Sequence, residues 1–111
     1  MTQTGGRRCK ASRDTLHSTV IRSFRHKGLE AFFRHGSRAG IQPRHAARLR
    51  LVLTALECAR RPADMNAPGW RLHALHGSLQ GFHSVTVSAN WRVIFRFEGG
   101  NAYEVGYVDY H

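Results

Sequence analysis

The stretch FHSVTVSANWRVIFRFEGGNAYEVGYVDYH, residues 82–111, decides the fold. Its side chains alternate with period two, which sends neighbours to opposite faces of a pleated strand. His83, Val85 and Val87 alternate with Phe82, Ser84, Thr86 and Ser88. Val93, Phe95 and Phe97 alternate with Arg92, Ile94 and Arg96, and Tyr103, Val105 and Tyr107 form a further run. Gly99-Gly100 supplies the positive φ values that a tight hairpin needs. Upstream, residues 71–75 read as one more strand, after a Pro- and Gly-bearing loop at 62–69.

Before that loop the period changes. Residues 26–35 read as a helix with Leu29, Phe32 and Phe33 on one side and Arg25, Lys27 and Arg34 in water; Gly36 and Gly40 end it. Pro43 suits the first position of a second helix, because its missing N–H costs nothing there. Ala46, Leu49, Val52, Leu53 and Leu56 then follow the helical period, and Arg44, Arg48, Arg50, Arg60 and Arg61 occupy other faces or the end. Residues 20–24 (VIRSF) are a short β-type run. The fold class is therefore α+β, in the order β-α-α-β-β-β-β: two N-terminal helices on one face of a mainly antiparallel sheet, the other face left for a substrate. Residues 1–19 read as a disordered basic leader and 20–111 as the folded domain.

Charge is the first functional clue. Seventeen Lys and Arg face seven acids, a net +10 with histidines neutral, and only Lys10 and Lys27 are lysines. Such a field draws polyanions, and guanidinium suits bidentate phosphate contacts and base stacking. No apolar run is long enough to span a membrane, and no secretory signal is present, so a cytoplasmic protein is expected. No phosphate-binding P-loop, dinucleotide-binding glycine pattern or serine-nucleophile elbow is present. Cys9 and Cys58 make no metal spacing or disulfide framework, so reduced thiols are expected, with Cys58 buried in the second helix. His73, His76 and His83 are a weak zinc spacing.

Two sites could carry chemistry. Arg92 and Arg96 share a strand face about 13 Å apart, roughly two phosphates of an extended nucleic acid. Asp109-Tyr110-His111 follows the last strand directly, bringing a carboxylate, a phenol and an imidazole together, and His73 is a second imidazole able to face them. Cleavage of RNA by its own 2′-hydroxyl needs a base, an acid for the departing 5′-oxygen and cations for the phosphorane. Two imidazoles can divide the proton work. Arg92 can neutralise charge on the non-bridging oxygens, Asp109 can orient an imidazole or an arginine, and Tyr110 can stack on a base or bond the phosphate. No metal or other cofactor is required by this chemistry.

Residues 20–29 (VIRSFRHKGL), 72–77 (LHALHG), 85–95 (VTVSANWRVIF) and the final Asp109-Tyr110-His111 together resemble HigB toxins, the plasmid-maintenance killer branch of the RelE-like superfamily. The likeness spans about residues 20–111. It implies a RelE-like microbial RNase fold and a ribosome-dependent mRNA endonuclease that cuts in the decoding site and stops translation. It further implies a helix-turn-helix, HigA-like antitoxin encoded beside it, with operator DNA reached only through the toxin–antitoxin complex. The residues that would carry activity are His73, Asp109, Tyr110 and His111, with Arg92 on the scissile phosphate; His76, Arg96 and Arg71 would join in binding RNA. His76 stands where the family usually has lysine, which replaces a permanent charge by a conditional one. That substitution leaves a second reading: a catalytically weak RNA- or ribosome-binding module, acting mainly as antitoxin partner and operon co-repressor.

Overall fold

The computed structural model describes residues 20–110, so the reading of 1–19 as a leader lies outside the described residues, as does His111. Helices α1 (Lys27–His35) and α2 (Ala46–Cys58) precede four strands, β1 (His73–Ala74), β2 (His83–Ser88), β3 (Trp91–Glu98) and β4 (Asn101–Asp109). The sheet order is β1-β2-β3-β4, with every neighbouring pair antiparallel. Among the described residues no helix is long and apolar enough to cross a membrane.

Local chemistry starts and stops the helices. His26 caps α1, its Nδ1 accepting the Leu29 N–H at 2.9 Å. Gly36 closes the helix with φ 75°, a conformation other residues reach only with strain. Gly40 serves a different purpose from the expected stop. A Cβ on Gly28 would lie 2.6 Å from the Gly40 carbonyl oxygen, and one on Gly40 would lie 2.5 Å from the Gly28 Cα, so the chain crosses itself only where both side chains are missing. Pro43 opens a 3-10 turn, Pro43–His45, that runs straight into α2. Ala46, Leu49, Val52, Leu53 and Leu56 of α2 join Leu29 and Phe32 of α1 in one core with Val85, Val93, Phe95 and Val105 of the sheet.

Three expectations need correction. Residues 20–24 do not make a continuous strand: they touch β4 through two parallel bridges, Ile21 to Ala102 and Phe24 to Val105. Between these bridges β4 carries an extra residue, and Glu104 takes φ 52°. Such a bulge breaks the ladder, and the Glu104 N–H is satisfied instead by the Ser23 hydroxyl at 2.8 Å. The strand expected over 71–75 shrinks to His73–Ala74, because Arg71 turns left-handed at φ 51° and a 3-10 turn, Gly77–Leu79, follows His76. Cys58 is exposed on the last turn of α2, which leaves it outside the core, and it is disulfide-bonded and not a reduced thiol.

Candidate functional site

The register assigns each strand residue to a face. Val85 pairs with Val93 and Val93 with Tyr107, which puts these three on the helix-covered side. His73 pairs with Ser84, Ser84 with Ile94, and Ile94 with Gly106, which makes one row across the opposite face. Thr86, Arg92 and Val108 form the next row. Tyr110 has the same parity as Val108, and its N–H bonds the Asn90 carbonyl at 2.8 Å, extending the ladder one step beyond β4. His73, Arg92 and Tyr110 therefore share one face. His73 lies two strand spacings from Arg92, about 10 Å across the sheet.

Arg92 is held by the hairpin it follows. Its Nη1 donates to the Ala89 carbonyl at 2.7 Å and to the Trp91 carbonyl at 3.2 Å. Ala89 has φ 51°, unusual for a residue with a Cβ, so the guanidinium staples a strained turn, and among the described residues its acceptors are neutral carbonyls. Arg96 is held very differently. Nη1 bonds Glu98 at 2.9 Å, Nε bonds Glu104 at 3.1 Å, and the guanidinium sits 4.9 Å from the Tyr103 ring centre. These two glutamates, first through their hydrogen bonds, hold the Arg96 pKa above its ordinary value. The expected pair of phosphate-binding arginines is thus an available cation at one end and a neutralised one at the other.

Asp109 is placed apart from Arg92. It pairs with Trp91, on the helix-covered side of the strand end, and its carboxylate adds to the burial that pushes the Tyr107 phenol up. Beneath that strand end lies a polar cluster that sequence reading did not single out. The Tyr107 hydroxyl accepts the Gln42 N–H at 3.2 Å and lies 2.7 Å from Nδ1 of His45, a side chain only 2% exposed. Trp91 stacks at 4.6 Å on Tyr107, and the rings of His45 and His26 meet these aromatics edge-on. Burial first, then Arg44, keeps His45 below the usual imidazole pKa, and burial also lowers His26. The cluster fixes the strand from which Tyr110 emerges.

His76 is exposed at the start of the 3-10 turn, and Arg71 is exposed at its left-handed bend. His83 stacks on Phe95 at 6.2 Å, its Nδ1 is buried with no partner among the described residues, and burial first, then the nearby His73, lowers its pKa. Among the described residues no three His, Cys, Asp or Glu side chains gather as a metal site. Arg25 was read as a wetted residue flanking α1. In the structure its Cβ lies over Gly106, on the face that holds Arg92. Only the pairing of residues 20–25 with β4, a non-local contact, shows this.

The sequence that builds this two-helix layer and antiparallel sheet matches, over residues 22–111, a family described as the RelE-like toxin of type II toxin–antitoxin system HigB. Endoribonuclease HigB of Proteus vulgaris is 39% identical over 92 residues, which cover 83% of this chain and 100% of that protein. The molecule is a RelE-like toxin of a type II toxin–antitoxin system. Within that class, the chain belongs to the HigB-like family.

Proposed function

We propose that this toxin is an endoribonuclease that cuts mRNA on the ribosome, in the decoding site, and so halts translation. The observation that carries the reading is the shared face of His73, Arg92 and Tyr110, with Tyr110 pinned to the hairpin by its bond to Asn90. The similarity to a protein named as an endoribonuclease supports it. In the proposed reaction an imidazole of His73 or His111 takes the 2′-hydroxyl proton. The 2′-oxygen attacks phosphorus, the bond to the 5′-oxygen breaks, and the other imidazole protonates that oxygen. A 2′,3′-cyclic phosphate and a 5′-hydroxyl result. Arg92 receives the charge that grows on the non-bridging oxygens, and Tyr110 bonds the phosphate or stacks on a base. Asp109, turned toward Trp91 and Tyr107, orients the strand end and the histidine that follows Tyr110. Imidazole, phenol and guanidinium supply base, acid and charge, so the proposed route uses no metal or cofactor.

His76 and Arg71 extend the cationic rim on the RNA side. A type II toxin is held by an antitoxin; the partner proposed here is a helix-turn-helix, HigA-like protein, through which the complex reaches operator DNA. The site of action is the cytoplasm, where translating ribosomes are. Primer extension on mRNA from ribosomes exposed to the full-length toxin tests the reading. New 5′ ends within translated codons, lost in Arg92→Ala and His73→Ala, are expected. Ribosome binding without new ends would replace the enzyme by the non-catalytic module that His76 suggests.

A further inference from the structure

The centre of the uncovered face is occupied by a device that the proposed chemistry does not use. Arg25 bonds its backbone N–H to the Val105 carbonyl at 2.9 Å, beside β4. Its Cβ would lie 3.7 Å from a Cβ on Gly106, so the stem crosses the sheet where that side chain is missing. The guanidinium comes to rest 5.4 Å from the centre of the Phe82 ring. Between Gly106 and Phe82 lies Ile94, 2% exposed and two residues from Arg92 on the same face of β3. Glu104 touches Arg25 only at its edge, Oε1 to Nε at 3.9 Å, and the Arg25 side chain remains 45% exposed. The Arg25 guanidinium thus lies over the Phe82 ring while almost half of its side chain stays open to solvent.

We infer that Arg25, backed by Phe82, is a stacking platform for a nucleobase of single-stranded RNA whose phosphate is held by Arg92 on the same face. A guanidinium plane takes a base as an aromatic ring does, and stacking does not require an uncompensated charge, so the partial pairing with Glu104 leaves the function intact. His83 pairs with Phe95, which sets Phe82 level with Arg96, four residues and about 13 Å along β3 from Arg92, so the platform suits a base about two nucleotides from the phosphate that Arg92 holds. Arg96, level with Phe82 and neutralised by Glu98 and Glu104, leaves this part of the face to stacking, with the phosphate contact at Arg92. This rests on the proposed reading of the substrate as RNA.

The test is equilibrium binding by the full-length toxin, read by anisotropy. The probes are a short fluorescein-labelled oligoribonucleotide and a series in which one nucleotide at a time is abasic. In the wild type one abasic position should weaken binding about tenfold. In Arg25→Ala and Arg25→Lys that penalty should fall below about twofold, because the plane is gone in both. Lysine keeps the charge, so its affinity for the abasic RNA should match the wild type. A penalty that survives in both variants overturns the inference, as does its restoration by lysine or the absence of any base-dependent binding in the wild type. Melting curves establish that each variant folds, and if the alanine variant does not, the lysine variant carries the test. Binding is read apart from cleavage: a base penalty that depends on Arg25 in a protein that never cuts would sink the endonuclease reading and leave this one standing.

Discussion

Arg92 and Arg96 lie on one face of one strand, yet they end in opposite electrostatic states. Among the described residues Arg92 donates only to two backbone carbonyls, neither of which neutralises its charge. Arg96 is spent on Glu98, Glu104 and the Tyr103 ring. The same alternation that predicts their shared face cannot distinguish them, because the difference lies in what the bulge of β4 and the Gly99-Gly100 hairpin bring alongside. A basic residue on a substrate face is a binding residue only if its neighbours across the register leave it unsatisfied. Exposed ion pairs of this kind contribute little to stability, so the glutamates near Arg96 act mainly on where anions can settle.

The largest expected effect breaks the comparison at its active end. Arg92→Ala should lower kcat/KM for RNA cleavage by about 10²–10³-fold, the scale for removing one donor to a developing oxyanion, while Arg96→Ala should change it by less than about threefold. Equal losses at the two positions would show that the glutamates do not mask Arg96. The converse experiment converts the quiet end into an active one. In Glu98→Gln/Glu104→Gln the freed guanidinium should tighten RNA binding several-fold and steepen the log–log salt dependence by about one. An unchanged salt slope would mean that Arg96 never reaches the RNA.

A third change weakens the support under Arg92 without touching the face. Tyr107→Phe removes the hydroxyl shared by the half-buried Gln42 N–H and the buried His45 Nδ1. Leaving buried His45 unmatched should cost about 1–3 kcal/mol, read by denaturant unfolding, while the half-buried Gln42 N–H can turn to water. A change under about half a kcal/mol would place the cluster outside the stable core. The same cluster sets an acid limit. Burial lowers the pKa of His45, His26 and His83 in the folded chain. Below the ordinary imidazole value of 6.5 the unfolded chain takes up protons that the folded chain refuses, so stability is full above that pH and falls as pH drops through the folded values. The melting temperature should decline from pH 7 to pH 5, and a flat profile over that range would contradict the burial of these rings.

Much of this architecture was legible in advance, for local reasons. The Gly99-Gly100 hairpin, the period of β2–β4 and the helix from Pro43 all follow from propensity and pattern, which act over a few residues. The uncovered face was only half legible. His73, Arg92 and Tyr110 could be assigned to it by alternation, since each stands on or just beyond a regular strand. Asp109 could not, because one residue of parity separates it from Arg92's side. Arg25 was hidden most deeply: its place depends on residues 20–25 pairing with a strand some eighty positions later, and on a glycine that makes room for it. The His45–Tyr107 bond joins residues 62 positions apart and left no periodic trace.

The smallest expected effect lies in the turn that holds Arg92. Ala89 holds φ 51° with a Cβ in place, and the Arg92 guanidinium is bonded to its carbonyl. A residue with a side chain reaches that region at a cost near 1 kcal/mol, and glycine removes the cost. Glycine also gives the unfolded chain more freedom, which takes back part of the gain. Ala89→Gly should therefore raise stability by only about 0.5 kcal/mol, visible as a rise of a few degrees in melting temperature. Because the acceptor is a backbone oxygen, the Arg92 contact survives the change, and cleavage should stay within about twofold of the wild type. A large fall in activity with stability preserved would mean that the strain itself aims Arg92, a constraint that its two hydrogen bonds alone do not supply.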